Sequence, residues 1–394
     1  MTEQVHPPTA PGRPEPPRTA GRPRLYYVDN LRVVLTVLVL AHHVAVTYGN
    51  IPVWYYSEPA TDGSGALLDL LVITNQTFFM GFFFLISGYF VPGSHDRKGG
   101  RGFVRERLVR LGVPLLLFLL ILRPIVMHPS FVLIQEASAA EGTELPYWLF
   151  YLLSWDPGPL WFAEVLLVFC LVYVLVRRLR DRRAKDVEAV PAAPGRLPGP
   201  LAVVAFTVGL ALVSHVWRTL FPALHWPVVG LPSPQYLPQY VALFVVGVFA
   251  FRGDWPRRIP RKAGGVALAV AGVALTAWIA VHVLWDGTVP GPDALAPAVL
   301  LLVESTFAVS VIIALTVLFR ERFNRQGRFG RLLADNAFAV YVLHPLVLIG
   351  VSMALSGWEA IAVAKFAVVL VLSVPLCWLV AVLVRAIPGV KRFL

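Results

Sequence analysis

Residues of types and spacings suited to chemistry first occur between Tyr26 and Tyr48, where Asp29, Arg32, His42 and His43 interrupt an otherwise apolar run. Eleven residues of α-helix turn through about 1100°, roughly three turns plus 20°, so Arg32 and His43 share a face. They lie about 16 Å apart along the axis, roughly half a hydrocarbon thickness, which places an imidazole near mid-membrane. Ionisable groups at that depth are costly and mark functional sites. An imidazole there can act as a general base or pass a proton along a relay. Asp29 and Arg32 are one turn apart and can pair, although an arginine at a span end also serves as a snorkelling anchor. His42, rotated about 100° from His43, reads as a neighbour that hydrogen-bonds across helices.

Arg105, Arg107 and Arg110 form a second group in F-V-R-E-R-L-V-R-L-G-V-P, residues 103–114. Guanidinium forks match phosphate oxygens and would hold the phosphates of a nucleotide or of CoA. The same arginines would also accumulate through membrane topology alone. In T-F-F-M-G-F-F-F-L-I-S-G-Y-F, residues 77–90, Gly81, Ser87 and Gly88 allow a helix or a ligand to approach closely. Trp161 and Glu164 in L-W-F-A-E, Glu304, and His344 ahead of Pro345 add polar groups within other apolar runs, together suggesting a polar cavity through a bundle. Pro345 frees a backbone carbonyl near His344 that needs a partner. The segment 129–158 combines Glu136, Glu141, Glu144 and Asp156 with Tyr147, Trp148, Tyr151 and Trp155, which could stack on a sugar or anchor an interfacial helix.

The elements that must position these residues are membrane helices. In 394 residues, 57% hydrophobic content, a mean hydropathy of +0.69 and 14% charged residues exclude an ordinary soluble domain. Apolar runs near 31–48, 66–91, 111–128, 159–176, 201–218, 237–251, 264–284, 297–319, 334–352 and 360–384 predict an all-α polytopic membrane protein of about ten transmembrane helices. The formal charge of +11 does not indicate nucleic acid, because 30 of the 34 Lys and Arg fall in alternate loops and tails. By the positive-inside rule both termini are then cytoplasmic, in a plasma or inner membrane. Residues 1–24, rich in Pro and Arg, read as a disordered cytoplasmic tail without a cleaved signal peptide. Residues 25–394 read as the membrane domain, with 177–200 as a flexible cytoplasmic loop. Cys170 and Cys377 lie within apolar runs, so neither a disulfide nor a metal site is expected. No phosphate-binding loop or redox motif is present.

Five motifs in order carry a resemblance: D-N-L-R followed by His43, F-F-F-L-I-S-G-Y-F at 82–90, the R-x-x-R pair Arg107 and Arg110 before Pro114, L-W-F-A-E at 160–164, and A-F-A-V-Y-V-L-H-P-L at 337–346. In these the chain resembles the membrane acyltransferase-3 family, and within it the branch typified by a periplasmic glucan succinyltransferase. The resemblance implies ten helices and transfer of an acetyl or succinyl group from cytoplasmic acyl-CoA to a hydroxyl of an extracytoplasmic glycan, glycolipid or secondary metabolite. It implies no permanently bound cofactor, since acyl-CoA is the donor substrate, and its partners are those two substrates and membrane lipid. The family's histidine maps to His43, its arginine to Arg32, and its phosphate-side pair to Arg107 and Arg110, with Arg105, Ser87 and Gly88 beside them. Trp161, Glu164, Glu304, His344 and Asp29 would line the substrate path. His43 would be the general base or a transient acyl carrier. The competing class is a proton-coupled transporter or exporter using His43, Glu164, Glu304 and His344 as a relay.

Overall fold

The computed structural model describes residues 24–51, 53–140, 142–143, 145–183, 195–222, 233–284 and 295–394. The expected N-terminal tail up to Pro23, residues 184–194 of the expected loop, and Glu141 and Glu144 lie outside the described residues. Among the described residues there are helices and no strand. Among the described residues nine helical stretches are long and apolar enough to cross a membrane, which makes this a multi-pass membrane protein.

The ten apolar runs become nine stretches because two of them lie on one continuous helical run of 62 residues, Gly65–Val126. At about 1.5 Å per residue a straight helix of that length would reach roughly 93 Å, far beyond a bilayer. It comprises α1's neighbour helices and a fold-back. With α1 as Tyr26–Tyr48, α2 is Gly65–Gln76 and α3 is Phe79–Arg107. Gly99 within α3 has φ of +67°, a conformation favoured by glycine, and the chain doubles back there. Ser94 Oγ consequently donates to Glu106 Oε2 at 3.4 Å, and Lys98 Nζ lies 2.5 Å from Glu106 Oε1. Twelve residues of unbroken helix would hold Ser94 and Glu106 about 18 Å apart.

The chain from 108 to 126 contains two π-helical turns, Leu108–Gly112 and Phe118–Leu122, each followed closely by a proline, Pro114 or Pro124. Proline removes a helix donor, so carbonyls are left needing partners. Tyr151 donates its hydroxyl to the Leu119 carbonyl and Tyr147 to the Pro124 carbonyl. Both tyrosines come from α5, Tyr147–Leu153, which follows α4, His128–Ala140. Two of the aromatics considered for a sugar therefore serve the helix backbone, while Trp148 and Trp155 are exposed. Fully buried Arg123 donates to Asp156 Oδ2 at 2.8 Å and to the Ser154 carbonyl, and lies over the Tyr151 ring.

The remaining long helices are α6 (Trp161–Arg183), α7 (Pro200–Leu220), α8 (Leu237–Gly253), α9 (Arg261–Leu284), α10 (Leu295–Arg322), α11 (Arg328–Ala354) and α12 (Ala362–Ala386). Burial singles out the axis of the bundle: 67% of the apolar window of α1 is buried, against 17% for α7. α1 packs on α2, α3, α10, α11 and α12, so the helix that carries Arg32 and His43 is enclosed by the others.

α3 and α8 approach closely at Gly88 and Gly247. A Cβ at Gly88 would meet the Phe244 carbonyl, and one at Gly247 would lie 2.8 Å from the Tyr89 nitrogen. We predict that Gly247→Val lowers stability by about 1–3 kcal/mol through overpacking. Thermal unfolding of the detergent-solubilised protein checks this, and an unchanged midpoint contradicts it.

Candidate active site

One face of α1 is open to a cavity. Asp29, Arg32, Thr36, Val39, His42, His43 and Val46 recur mainly at three- and four-residue intervals and all line a space of about 830 Å³. At one end the lining includes Arg24, Arg107, Arg110, Arg385, Lys391 and Arg392, and past the other end of α1 it includes Ile51, Val53, Ser233, Gln235 and Tyr236. The cavity therefore follows α1 through its 23 residues, about 35 Å of helix. Between the two ends, Phe79, Phe83 and Ser87 from α3, Trp161 and Phe162 from α6, and Phe338 and Tyr341 from α11 form its walls.

At the arginine end, Asp29 accepts from Arg24 Nε at 2.7 Å, and Arg24 also reaches Asp335 at 3.0 Å. Arg32 Nη1 lies 3.9 Å from Asp29, so Asp29 is held chiefly by Arg24 and the Arg32 donors remain turned to the cavity. Arg107 lies over the Phe103 ring at 4.9 Å, and its Nε is buried without a hydrogen-bond partner among the described residues. Arg110 lies 3.7 Å from Glu106.

Toward the C-terminal end of α1, His43 sits in an aromatic stack. Its ring lies 4.0 Å from the Trp54 ring at 22° and 5.1 Å from the His344 ring at 23°. His42 stacks on Phe79 at 5.1 Å, and its Nδ1 has no partner among the described residues, so the expected cross-helix bond through that atom is not formed. His344 is fully buried behind His43 and is absent from the cavity lining. Its Nδ1 lies 2.7 Å from the Tyr341 carbonyl, which can only accept, so Nδ1 carries the proton. That carbonyl is the one Pro345 deprives of a helix donor, four residues on, so the histidine ring replaces the missing N–H. Tyr341 in turn donates its hydroxyl to the Pro159 carbonyl at 2.7 Å, tying α11 to the start of α6.

Trp54 belongs to the segment between α1 and α2, and that segment is fastened at several points. The Glu58 amide donates to the Thr47 carbonyl at 2.8 Å, Lys365 Nζ donates to Glu58 Oε2 at 3.0 Å, and Ser130 Oγ donates to the Tyr55 carbonyl at 2.6 Å. Asp62 accepts the Ala362 amide at 2.9 Å at the head of α12 and the Ser64 amide at 2.8 Å. The Ser64 hydroxyl and these two amides hold the Asp62 carboxyl below the usual carboxylate range. Because the folded value is the lower one, this tie is fully present above the ordinary range and is lost only as pH falls through the lowered value.

The other residues singled out by the sequence divide plainly. Ser87 and Trp161 line the cavity, whereas Gly88 faces α8 instead, with no room for a side chain. Arg105 is exposed and away from the cavity, because it points elsewhere on the helix from Arg107. Glu164 does not line it, and its Oε2 has no partner among the described residues. Glu304 is buried but engaged, accepting from Arg218 Nη2 at 2.6 Å and Nη1 at 3.1 Å, and is also absent from the lining. Arg218 lies over the Tyr236 ring at 4.8 Å, so this pair supports the far end of the cavity from behind. A proton relay through His43, Glu164, Glu304 and His344 would need these groups along the passage, and three of the four are outside it. Sequence reasoning missed Trp54, which carries no helical spacing relative to His43.

A family model described as "Acyltransferase domain", of the acyltransferase-3 type, matches residues 25–382. The chain belongs to this acyltransferase family. Among curated proteins it is similar to Glucans biosynthesis protein C of Salmonella schwarzengrund (strain CVM19633), 25% identical over 264 residues, covering 65% of this chain and 66% of that protein. Glucans biosynthesis protein C of Salmonella typhi and of Salmonella typhimurium match at 25% identity over 262 residues, with the same coverage. The chain thus spans just under two thirds of the length of these relatives. No solved structure matches. The family match contains α1, α3, α6 and α11, the helices that carry His43, Arg107, Trp161 and Tyr341.

Stacking fixes the plane of the His43 ring, and aromatic pairs contribute about 0.5–1.5 kcal/mol beyond area burial. Trp54→Ala should therefore lower the acyltransferase rate by about 2–10-fold while Trp54→Phe retains most of it. Initial rates of the two purified variants measure this, and equal rates for Trp54→Ala and the parent contradict it.

Proposed function

We propose that this acyltransferase moves an acetyl- or succinyl-type group from cytoplasmic acyl-CoA to a hydroxyl of an extracytoplasmic glycan or glycolipid. The observation that carries the reading is one continuous cavity whose lining includes the arginine-rich mouth, His43 and residues past the other end of α1. The alternation of Lys and Arg along the sequence supports an arginine mouth and both termini on the cytoplasmic side of a plasma or inner membrane. The glucan-related names of the relatives support this acceptor class.

In this reading Arg107 and Arg110 hold CoA phosphates, for which guanidinium forks are suited. Arg32 lies about 16 Å from His43 along the helix, too far to touch a carbonyl reacting there, so it steadies the donor on its way in. His43 takes the proton of the acceptor hydroxyl as that oxygen attacks the thioester carbonyl. Collapse of the tetrahedral adduct forms the ester and breaks the C–S bond, and the departing thiolate receives the proton from His43. If His43 carries the acyl group transiently, its ring nitrogen attacks the thioester carbonyl, forming a C–N bond as the C–S bond breaks; the acceptor oxygen then forms the ester as that C–N bond breaks, and the hydroxyl proton balances the thiolate released in the first step. The hydrophobic walls of Phe79, Phe83 and Phe162 limit water around the thioester.

His43→Ala should reduce acylation of envelope glycans, followed with labelled acyl-CoA, by about 10²–10⁴-fold, the usual contribution of general base catalysis. Arg107→Lys with Arg110→Lys should instead weaken acyl-CoA binding, because a point charge replaces each fork. Undiminished acylation by a stably folded His43→Ala protein would overturn the role of His43.

A further inference from the structure

The mouth of the cavity contains a cationic element outside the family match, which stops at residue 382. After α12 the chain turns at Gly389, whose φ is +88°, and forms a 3₁₀ turn, Val390–Arg392. This turn is fixed beneath the cavity. Arg385 donates from Nε to the Leu394 carbonyl at 3.1 Å and from Nη1 to the Asp335 carbonyl at 2.6 Å and Asn336 Oδ1 at 2.7 Å. Leu394 packs against the buried side chains around Phe118, Leu160 and Val342.

Charge at the mouth is unbalanced. Among the described residues Arg24, Arg32, Arg107, Arg110, Arg385, Lys391 and Arg392 line the cavity, against Asp29 and Asp335 as side-chain carboxylates. Asp29 and Asp335 are both engaged by Arg24, Arg110 lies by Glu106, and Arg385 is committed to the turn. Among the described residues Lys391, Arg392 and Arg107 form no ion pair. Two cation groups therefore stand at the mouth, Arg107 with Arg110 on the α3 side and Lys391 with Arg392 on the turn after α12.

We propose that Lys391 and Arg392 form a subsite for a terminal phosphate monoester, the 3′-phosphate of CoA. The assignment rests on the acyl-CoA reading above and adds a phosphate site to it. CoA carries two separate anionic groups, and the diphosphate is joined directly to the pantetheine arm that must extend toward His43. The diphosphate accordingly belongs with Arg107 and Arg110 on the cavity wall. The 3′-phosphate, at the nucleotide end remote from the thiol, belongs with the cations beyond the last helix. A lysine point charge beside an arginine fork suits a dianionic monoester.

The test compares equilibrium binding of CoA and 3′-dephospho-CoA to the detergent-solubilised full chain and to a Lys391→Gln, Arg392→Gln variant. The parent should prefer CoA by about tenfold or more, as expected for charge-assisted hydrogen bonds to one phosphate, and the preference should shrink with added salt. The variant should bind both ligands alike, with its affinity for 3′-dephospho-CoA within about twofold of the parent. A charge-preserving Lys391→Arg, Arg392→Lys variant should keep the preference, which separates loss of the phosphate contact from loss of the turn. CoA binding with no preference in the parent, or with the preference intact in the glutamine variant, would overturn this subsite and leave the acyl-CoA reading standing. Failure of the parent to bind either ligand would overturn both.

Discussion

Ionisable groups inside a bilayer must meet water or a partner, because desolvation otherwise costs several kcal/mol or more. Three arrangements among the described residues meet that constraint. Arg32, His42 and His43 open onto a cavity along one face of α1. Arg218 with Glu304 and Arg123 with Asp156 are closed ion pairs. His344 is turned onto the carbonyl that Pro345 leaves open. Only the first solution leaves polar side chains facing a space that a substrate can enter, and the helix that provides it is the most enclosed of the bundle.

The two ends of that space are built differently. The arginine end is rich in fixed positive charge and receives side chains from α1, α3 and the turn after α12. The other end is formed by the segment after α1 and by Ser233, Gln235 and Tyr236 ahead of α8. There the ties of Glu58, Asp62 and Ser130 hold Trp54 against His43. An imidazole that lines the cavity while packed against the Trp54 and His344 rings, which are themselves 6.2 Å apart, is held in one orientation, which suits a base that must meet a substrate in one geometry.

Helical arithmetic made the Arg32–His43 face legible, since residues eleven apart return to the same side whatever surrounds the helix. The apolar runs were legible for the same kind of reason, but their linkage was not: the doubling back at Gly99 depends on one backbone conformation within a helical segment. Glu304 was singled out as polar in an apolar run, yet its partner Arg218 lies 86 residues away, beyond any sequence periodicity. Trp54 was invisible for the opposite reason, being an ordinary loop aromatic until long-range ties bring it over His43. Gly88 carried a real signal of close approach, and the approaching group is the α8 backbone.

The central claim is that His43 stands on a passage reached from both sides of the membrane. Its most direct test places a single cysteine at position 43, with Cys170 and Cys377 replaced by serine, in oriented proteoliposomes exposed to a small charged thiol reagent from one side at a time. Both native cysteines are buried; Cys377 lies off the cavity, and Cys170 is on its wall, where a serine of similar size keeps the wall's shape. The account predicts labelling from either side, with CoA protecting only against reagent applied at the arginine mouth. Labelling from one side alone, or from neither, would contradict it.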